Sequence, residues 1–194
     1  MKTKIMIIIK VSTAILIIVS VAILTACSSN QSNNSETVRD KKITPPAMDL
    51  HAAAYMGNIK ALEQHINAGT DLDAKDAYGS TPLNVAILFG KTEAANLLMN
   101  AGADLNLQNA DGSAPLHTAA FFGRIEIVKT LIEKGADTSI RNSYGSTAYE
   151  SVSGSFEEVK AIYDQVSKDL GALGLRLDYE YLEKIRPEIA ELLR

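Results

Sequence analysis

Cysteine is nearly absent: Cys27 is the only one, so neither an intramolecular disulfide nor a multi-cysteine metal site can form. Basic charge is also scarce, with 19 Lys and Arg against 23 Asp and Glu. Lys2, Lys4 and Lys10 all fall in the N-terminal apolar stretch, and without them the balance is 16 to 23, a formal charge near −7. That argues against nucleic acid or an anionic membrane surface as a partner and mildly favours a basic one. A charge of this size is also ordinary for solubility. No glycine run matches a phosphate loop, and no serine sits in a nucleophile elbow. Asp71, Asp73 and Asp76 lack the glycine and distal glutamate of a calcium loop. No catalytic residue, metal site or cofactor is therefore expected, and the chain reads as a non-enzyme.

What is present is a period. Gly79, Gly112 and Gly145 are 33 residues apart, and Asp71, Asp104 and Asp137 keep the same spacing. So do Gly69, Gly102 and Gly135, and Gly57, Gly90 and Gly123. A repeat of this length implies one small supersecondary unit stacked on copies of itself, which builds extended surfaces more readily than enclosed clefts. The unit is clearest in Asp111-Gly112-Ser113-Ala114-Pro115-Leu116-His117, continuing through Ala119-Ala120-Phe121-Phe122-Gly123 to Gly135-Ala136-Asp137. The preceding copy has Gly79-Ser80-Thr81-Pro82-Leu83 and Gly102-Ala103-Asp104.

Each position has a physical reason. Thr81 can N-cap the inner helix with Pro82 at its first position, whereas Ala114 removes that cap at a cost of about 1 kcal/mol. Gly90 and Gly123 end the inner helix because glycine accepts a left-handed backbone. Ala119 and Ala120 let neighbouring inner helices approach closely. Ile125, Val128, Leu131 and Ile132 recur at helical spacing and predict the apolar face of the outer helix.

These motifs resemble the ankyrin repeat over roughly residues 47–165. The resemblance implies an all-α ankyrin-repeat solenoid of helix-turn-helix units with hairpin-like loops, about four in number, the first and last degenerate. Met48-Asp49-Leu50-His51 departs from the consensus in the first unit, and Thr147-Ala148-Tyr149-Glu150 lacks the proline in the last. Gly154 arrives two residues early, which predicts a short inner helix there. Residues 166–194 are expected to form a C-terminal helical cap. Ser155 and Glu158 have capping-box spacing for a helix through about Leu170, with Phe156, Val159, Ile162, Tyr163 and Val166 on one face. Asp178–Arg186 and Pro187–Leu193 read as two further helices, Pro187 starting the second. The cap either closes the stack or adds to a partner site. His51 and His117 stand two periods apart in the Leu-His position, where the family uses histidine for hydrogen bonds between units. Asn84 fills the middle copy, and His65 reads as solvated.

The N-terminus resembles a bacterial lipoprotein signal. Lys2 and Lys4 form a basic start, Val11–Leu24 is almost wholly apolar, and Leu24-Thr25-Ala26-Cys27 is similar to a lipobox. The resemblance implies that residues 1–26 are a signal peptide and that Cys27 carries the lipid, palmitate included. An uncleaved anchor is the alternative, since Ile5–Leu24 is about long enough to cross a bilayer. Either way the rest of the chain lies outside the cytoplasm. Ser28–Ser35 has no apolar residue, so residues 27–46 read as a disordered tether with a span of about 25 Å. Ser28 rather than aspartate after the cysteine resembles enteric-type lipoproteins destined for the outer membrane, which implies that membrane over the inner one, facing the periplasm.

In ankyrin stacks, partners are held by the hairpin tips and the exposed side of the inner helices. Carried onto this chain, those positions are Tyr55, Met56, Leu88, Phe89, Phe121 and Phe122 beside the helix-ending glycines. Tyr78, Asp111 and Tyr144 occupy the tips. Tyr55, Leu88 and Phe121 are the expected contacts, with Met56, Phe89 and Phe122 equally suited to packing between units. The expected protein is a monomer that binds an envelope or secreted protein, as an adaptor or as an inhibitor or immunity protein. The alternative is a chaperone-like or structural envelope factor supporting a periplasmic enzyme.

Overall fold

A computed structural model describes residues 44–194. The signal, Cys27 and most of the tether lie outside the described residues. All regular structure among the described residues is helical. Three helix pairs come first: α1 (Leu50–Met56) with α2 (Ile59–Asn67), α3 (Pro82–Leu88) with α4 (Thr92–Asn100), and α5 (Pro115–Phe121) with α6 (Ile125–Glu133). A short α7 (Ala148–Val152), a long α8 (Phe156–Leu170), a 3-10 turn (Gly171–Leu173) and α9 (Tyr179–Leu192) follow.

The seven-residue inner helices are begun by caps and ended by glycine. Thr81 Oγ1 accepts from the Asn84 amide at 3.3 Å, with Pro82 next in the chain. Ala114 offers no such oxygen, and the compensation runs the other way: His117 Nδ1 accepts from the Ala114 amide at 3.3 Å. The last inner helix, five residues long as Gly154 predicts, has a complete capping box. There Thr147 Oγ1 accepts from the Glu150 amide at 3.2 Å, and Glu150 Oε2 from the Thr147 amide at 3.0 Å.

Units stack through alanine and leucine. Ala53, Ala54, Ala86, Ala119 and Ala120 are fully buried between inner helices. Leu62, Leu98, Ile127, Val128 and Leu131 fill the layer under the outer helices. Small side chains on the inner row let backbones close in, and the larger ones supply most of the buried apolar area. The fingers between units bond to each other, the Ala110 amide donating to Tyr78 O at 3.1 Å and the Ser143 amide to Asp111 O at 2.9 Å. Gly112 is needed where they meet: its φ is 71°, and a Cβ there would lie 2.6 Å from Ser143 N.

The fourth unit breaks the pattern. In the first three pairs the outer helix packs back on its inner helix, and in the second and third also on the previous outer helix. In the fourth, α9 does this, contacting α7 and α6. Leu182, Ile185, Ile189 and Ala190 supply its buried face. Residues 153–178 are thus interposed between the two helices of the last unit, and the boundary expected at 165/166 falls inside α8. The two short helices expected at 178–193 are one: Pro187 lies within α9. A helix-interior proline removes one hydrogen bond, but Pro187 and Glu183, whose carbonyl would have accepted it, are both on the exposed side. Burial on the opposite face keeps the helix continuous.

Candidate protein-binding surface

The finger tips present a row in strict register. Tyr78, Asp111 and Tyr144, one period apart, each lie two residues after the side chain that turns the finger. Asp76 Oδ1 accepts from the Tyr78 amide at 2.8 Å and Asn142 Oδ1 from the Tyr144 amide at 3.0 Å. These side-chain turns hold the tips rigid, so little order is lost when a partner docks. Tyr78 is 42% and Tyr144 44% exposed, as expected of contact residues. Asp111 is half-buried between them, and burial raises its carboxyl above the ordinary range. Burial, followed by the Asp111 charge, raises the Tyr144 phenol.

The six residues beside the helix-ending glycines divide differently from expectation. Met56 is 58% exposed rather than packed between units, while Phe122 is buried. Phe89 is half-buried with its ring edge-on to Tyr55 at 4.6 Å. Tyr55, Leu88 and Phe121, expected to be the open contacts, are only half-exposed. The chain's own C-terminal segment covers part of them. The Tyr55 hydroxyl donates to Leu173 O at 2.6 Å. The Phe121 ring stacks on Tyr163 at 4.5 Å and 25°, and the Tyr163 hydroxyl donates to Phe121 O at 2.6 Å.

Sequence reasoning placed Phe156 and Tyr163 on one face of α8 but missed what that face meets. Phe156, Tyr163 and Tyr179 gather with ring centroids 5.6–6.4 Å apart. Arg186, which nothing in the sequence singled out, is 2% exposed beneath them. Its guanidinium donates to Tyr163 Oη at 3.0 Å and to the carbonyls of Ser151 and Gly154 at 3.3 and 3.4 Å. The helical pattern of the sequence does place position 186 beside Leu182, Ile185 and Ile189, so its burial was the available signal.

The histidines serve the stack. His51 Nε2 pairs with Ser80 O and His117 Nε2 with Ser146 O, each at 3.0 Å and 29 residues along. Asn84 takes the same role, donating to Leu107 O at 3.3 Å and accepting from Thr118 Oγ1 at 3.2 Å. His65 is not solvated but 5% exposed: Nε2 meets Met48 O at 2.8 Å and Nδ1 meets Thr70 Oγ1 at 3.1 Å. The degenerate first unit bends Met48 over α2, and the ring is enclosed by that bend. Asp71, Asp104 and Asp137 each accept from the amide two residues on, at 2.7–3.0 Å, as turn residues. Asp73 and Asn106 reach the next unit, accepting from the Asp104 and Asp137 amides at 2.8 and 2.9 Å.

No curated protein matches the chain. A family model for ankyrin repeats matches residues 50–142 in three copies. The ankyrin repeat is typically a non-enzymatic scaffold for protein–protein interaction. With the stacked pairs, the register of the fingers and the inter-unit histidines all in place, residues 50–142 are ankyrin repeats, followed by a helical C-terminal region.

Proposed function

We propose that this is a non-catalytic binding module tethered by lipid at Cys27 to the bacterial envelope. There it holds one envelope or secreted protein as an adaptor or as an inhibitor. The observation that carries the reading is the row Tyr78, Asp111 and Tyr144 on rigid, successive finger tips of a repeat that typically binds proteins. Tyrosine combines a large contact area with few rotatable bonds, which suits an interface anchor. The acidic residue between the two rings, with the acidic balance of the chain, suits a basic partner surface.

The anchor rests on Leu24-Thr25-Ala26-Cys27 and the basic start before it. Residues 27–46 then act as a tether that keeps the repeats near the headgroups, in the periplasm and on the outer membrane, and raises local concentration against a partner there. The chain works as a monomer and does not contact nucleic acid.

Two measurements test this. Cys27→Ser abolishes incorporation of labelled palmitate and leaves residues 1–26 uncleaved, seen as a heavier band on a gel. Photo-crosslinking groups at positions 78 and 144, with the protein anchored in its own envelope, yield one predominant partner. Replacing Asp111 with Lys prevents that capture. Palmitate incorporation and gel mobility unchanged by Cys27→Ser defeat the lipid anchor, and capture indifferent to Asp111→Lys defeats the tip surface.

A further inference from the structure

The inner-helix side of the stack already holds a ligand, and it belongs to the same chain. Helix α8, with the turn after it, reaches from the last unit back to the first: Tyr163 sits on Phe121 of α5, and Leu173 O accepts from Tyr55 of α1. At 1.5 Å per residue, fifteen residues span about 22 Å, enough to cross successive units. Its topology sets it apart from the repeats, since α9 and not α8 completes the fourth unit.

This segment is held by separate contacts at its middle and its ends, Tyr163 on Phe121, Leu175 buried and Leu173 O on Tyr55. Tyr163 is the one fully buried residue of α8, while Phe156, Val159, Ile162 and Val166 are half-buried. By contrast α9 buries Leu182, Ile185, Arg186, Ile189 and Ala190. Glycines stand at both ends: Gly154 before α8, and Gly174 after it, in the left-handed region at φ 88°. A helix between glycines that buries a single side chain, Tyr163, opens locally at lower free energy than the units beneath it.

We propose that residues 153–178 form an autoinhibitory strap, an internal helical ligand that occupies the Tyr55 and Phe121 stripe until an aromatic-bearing amphipathic helix of the partner displaces it. The occupant itself defines the chemistry of the replacement. It places an aromatic ring flat on Phe121, a hydroxyl on the free carbonyl at the end of α5, and half-buried aliphatic residues on the same face. Binding that must first open the strap is weakened by the closed fraction, and anything that releases the strap strengthens it.

The inference rests on the proposed binding role but is tested separately from the finger tips. The probe is a fluorescein-labelled peptide of residues 155–174 titrated into the purified mature chain, residues 27–194, carrying Cys27→Ser. Tyr163→Ala and the milder Tyr163→Phe remove the latch, and both are expected to bind the peptide about tenfold or more tightly than the parent. Adding Phe121→Ala to either abolishes that gain. In hydrogen exchange, amides of 156–170 lose protection in the released variants while those of α5, α6 and α9 keep theirs. Equal peptide affinity in all variants, or loss of protection through α9 and α5 together with α8, overturns the strap. Dimerisation of the released variants would assign the stripe to a second copy's strap and overturn the partner-helix reading. Crosslinking from positions 78 and 144 is read in the parent chain, without the strap variants, so the binding role stands or falls independently.

Discussion

Tyr163 joins three parts of the molecule that lie far apart in sequence: its ring stacks on Phe121 while its hydroxyl donates to Phe121 O and accepts from Arg186. Burial raises the Tyr163 phenol, and the Arg186 charge and hydrogen bond oppose that rise. One phenol thus connects the third repeat, the strap and the last outer helix.

Arg186 has no carboxylate partner among the described residues; the Tyr163 hydroxyl and two carbonyls take its terminal nitrogens, and its buried Nε has no partner. Arg186→Ala therefore leaves a cavity and unpaired acceptors and is expected to destabilise the fold by about 2–4 kcal/mol. Arg186→Met keeps most of the volume without a buried charge and should cost markedly less. Urea unfolding of the two variants gives the comparison, and equal losses would show that the hydrogen bonds dominate.

Gly112 and Gly145 hold equivalent left-handed positions, φ 71° and 77°, but only Gly112 faces a following finger. Gly145→Ala is expected to cost about 1–2 kcal/mol, the strain of the backbone conformation alone. Gly112→Ala adds a clash with the Ser143 backbone and should cost at least about 1 kcal/mol more. Thermal unfolding midpoints order the two.

Burial lowers the His117 pKa below 6.5, with hydrogen bonds to the Ser146 and Ile140 carbonyls opposing it. The unfolded chain therefore takes up the proton first. The stabilising contribution is complete above about pH 6.5 and is lost as the pH falls through the folded value. His117→Asn, the residue found one unit earlier at Asn84, should flatten the pH dependence of stability between about pH 7.5 and 5.5. Denaturation midpoints at a series of pH values measure the slope, and an unchanged slope would assign the acid sensitivity elsewhere.

Tyr78 and Tyr144 lie at exposed tips, so replacing both with alanine should change stability by less than about 1 kcal/mol. Partner capture should nevertheless fall steeply, because aromatic anchors dominate interface energetics. Melting and crosslinking yield, measured on the same preparation, separate folding from binding.

Much of the fold was legible because a repeat states its own rules several times. The glycines at 33-residue intervals, Thr81-Pro82, and the paired alanines each predicted local structure that the helices obey. The roles of His51 and His117 followed from register, since a side chain repeated in phase serves the repeat. Pro187 and His65 were misread because neither decision is local: a buried face overrode a helix-breaking residue, and a bend around Met48 enclosed a ring. The stripe was misread for a similar reason. Apolar residues at Tyr55 and Phe121 signal that something covers that side, but not whether the cover is a partner or the same chain.

By itself, then, the sequence determined the unit, its caps and turns, and the finger register, because those depend on contacts within about one period. Only the tertiary structure decided which helix completes the fourth unit. There α8 and α9 are both amphipathic, and the choice falls to the one whose buried face fits α6 and α7. That choice sends α8 back over the repeats and puts Tyr163 on Phe121, 42 residues away in the chain.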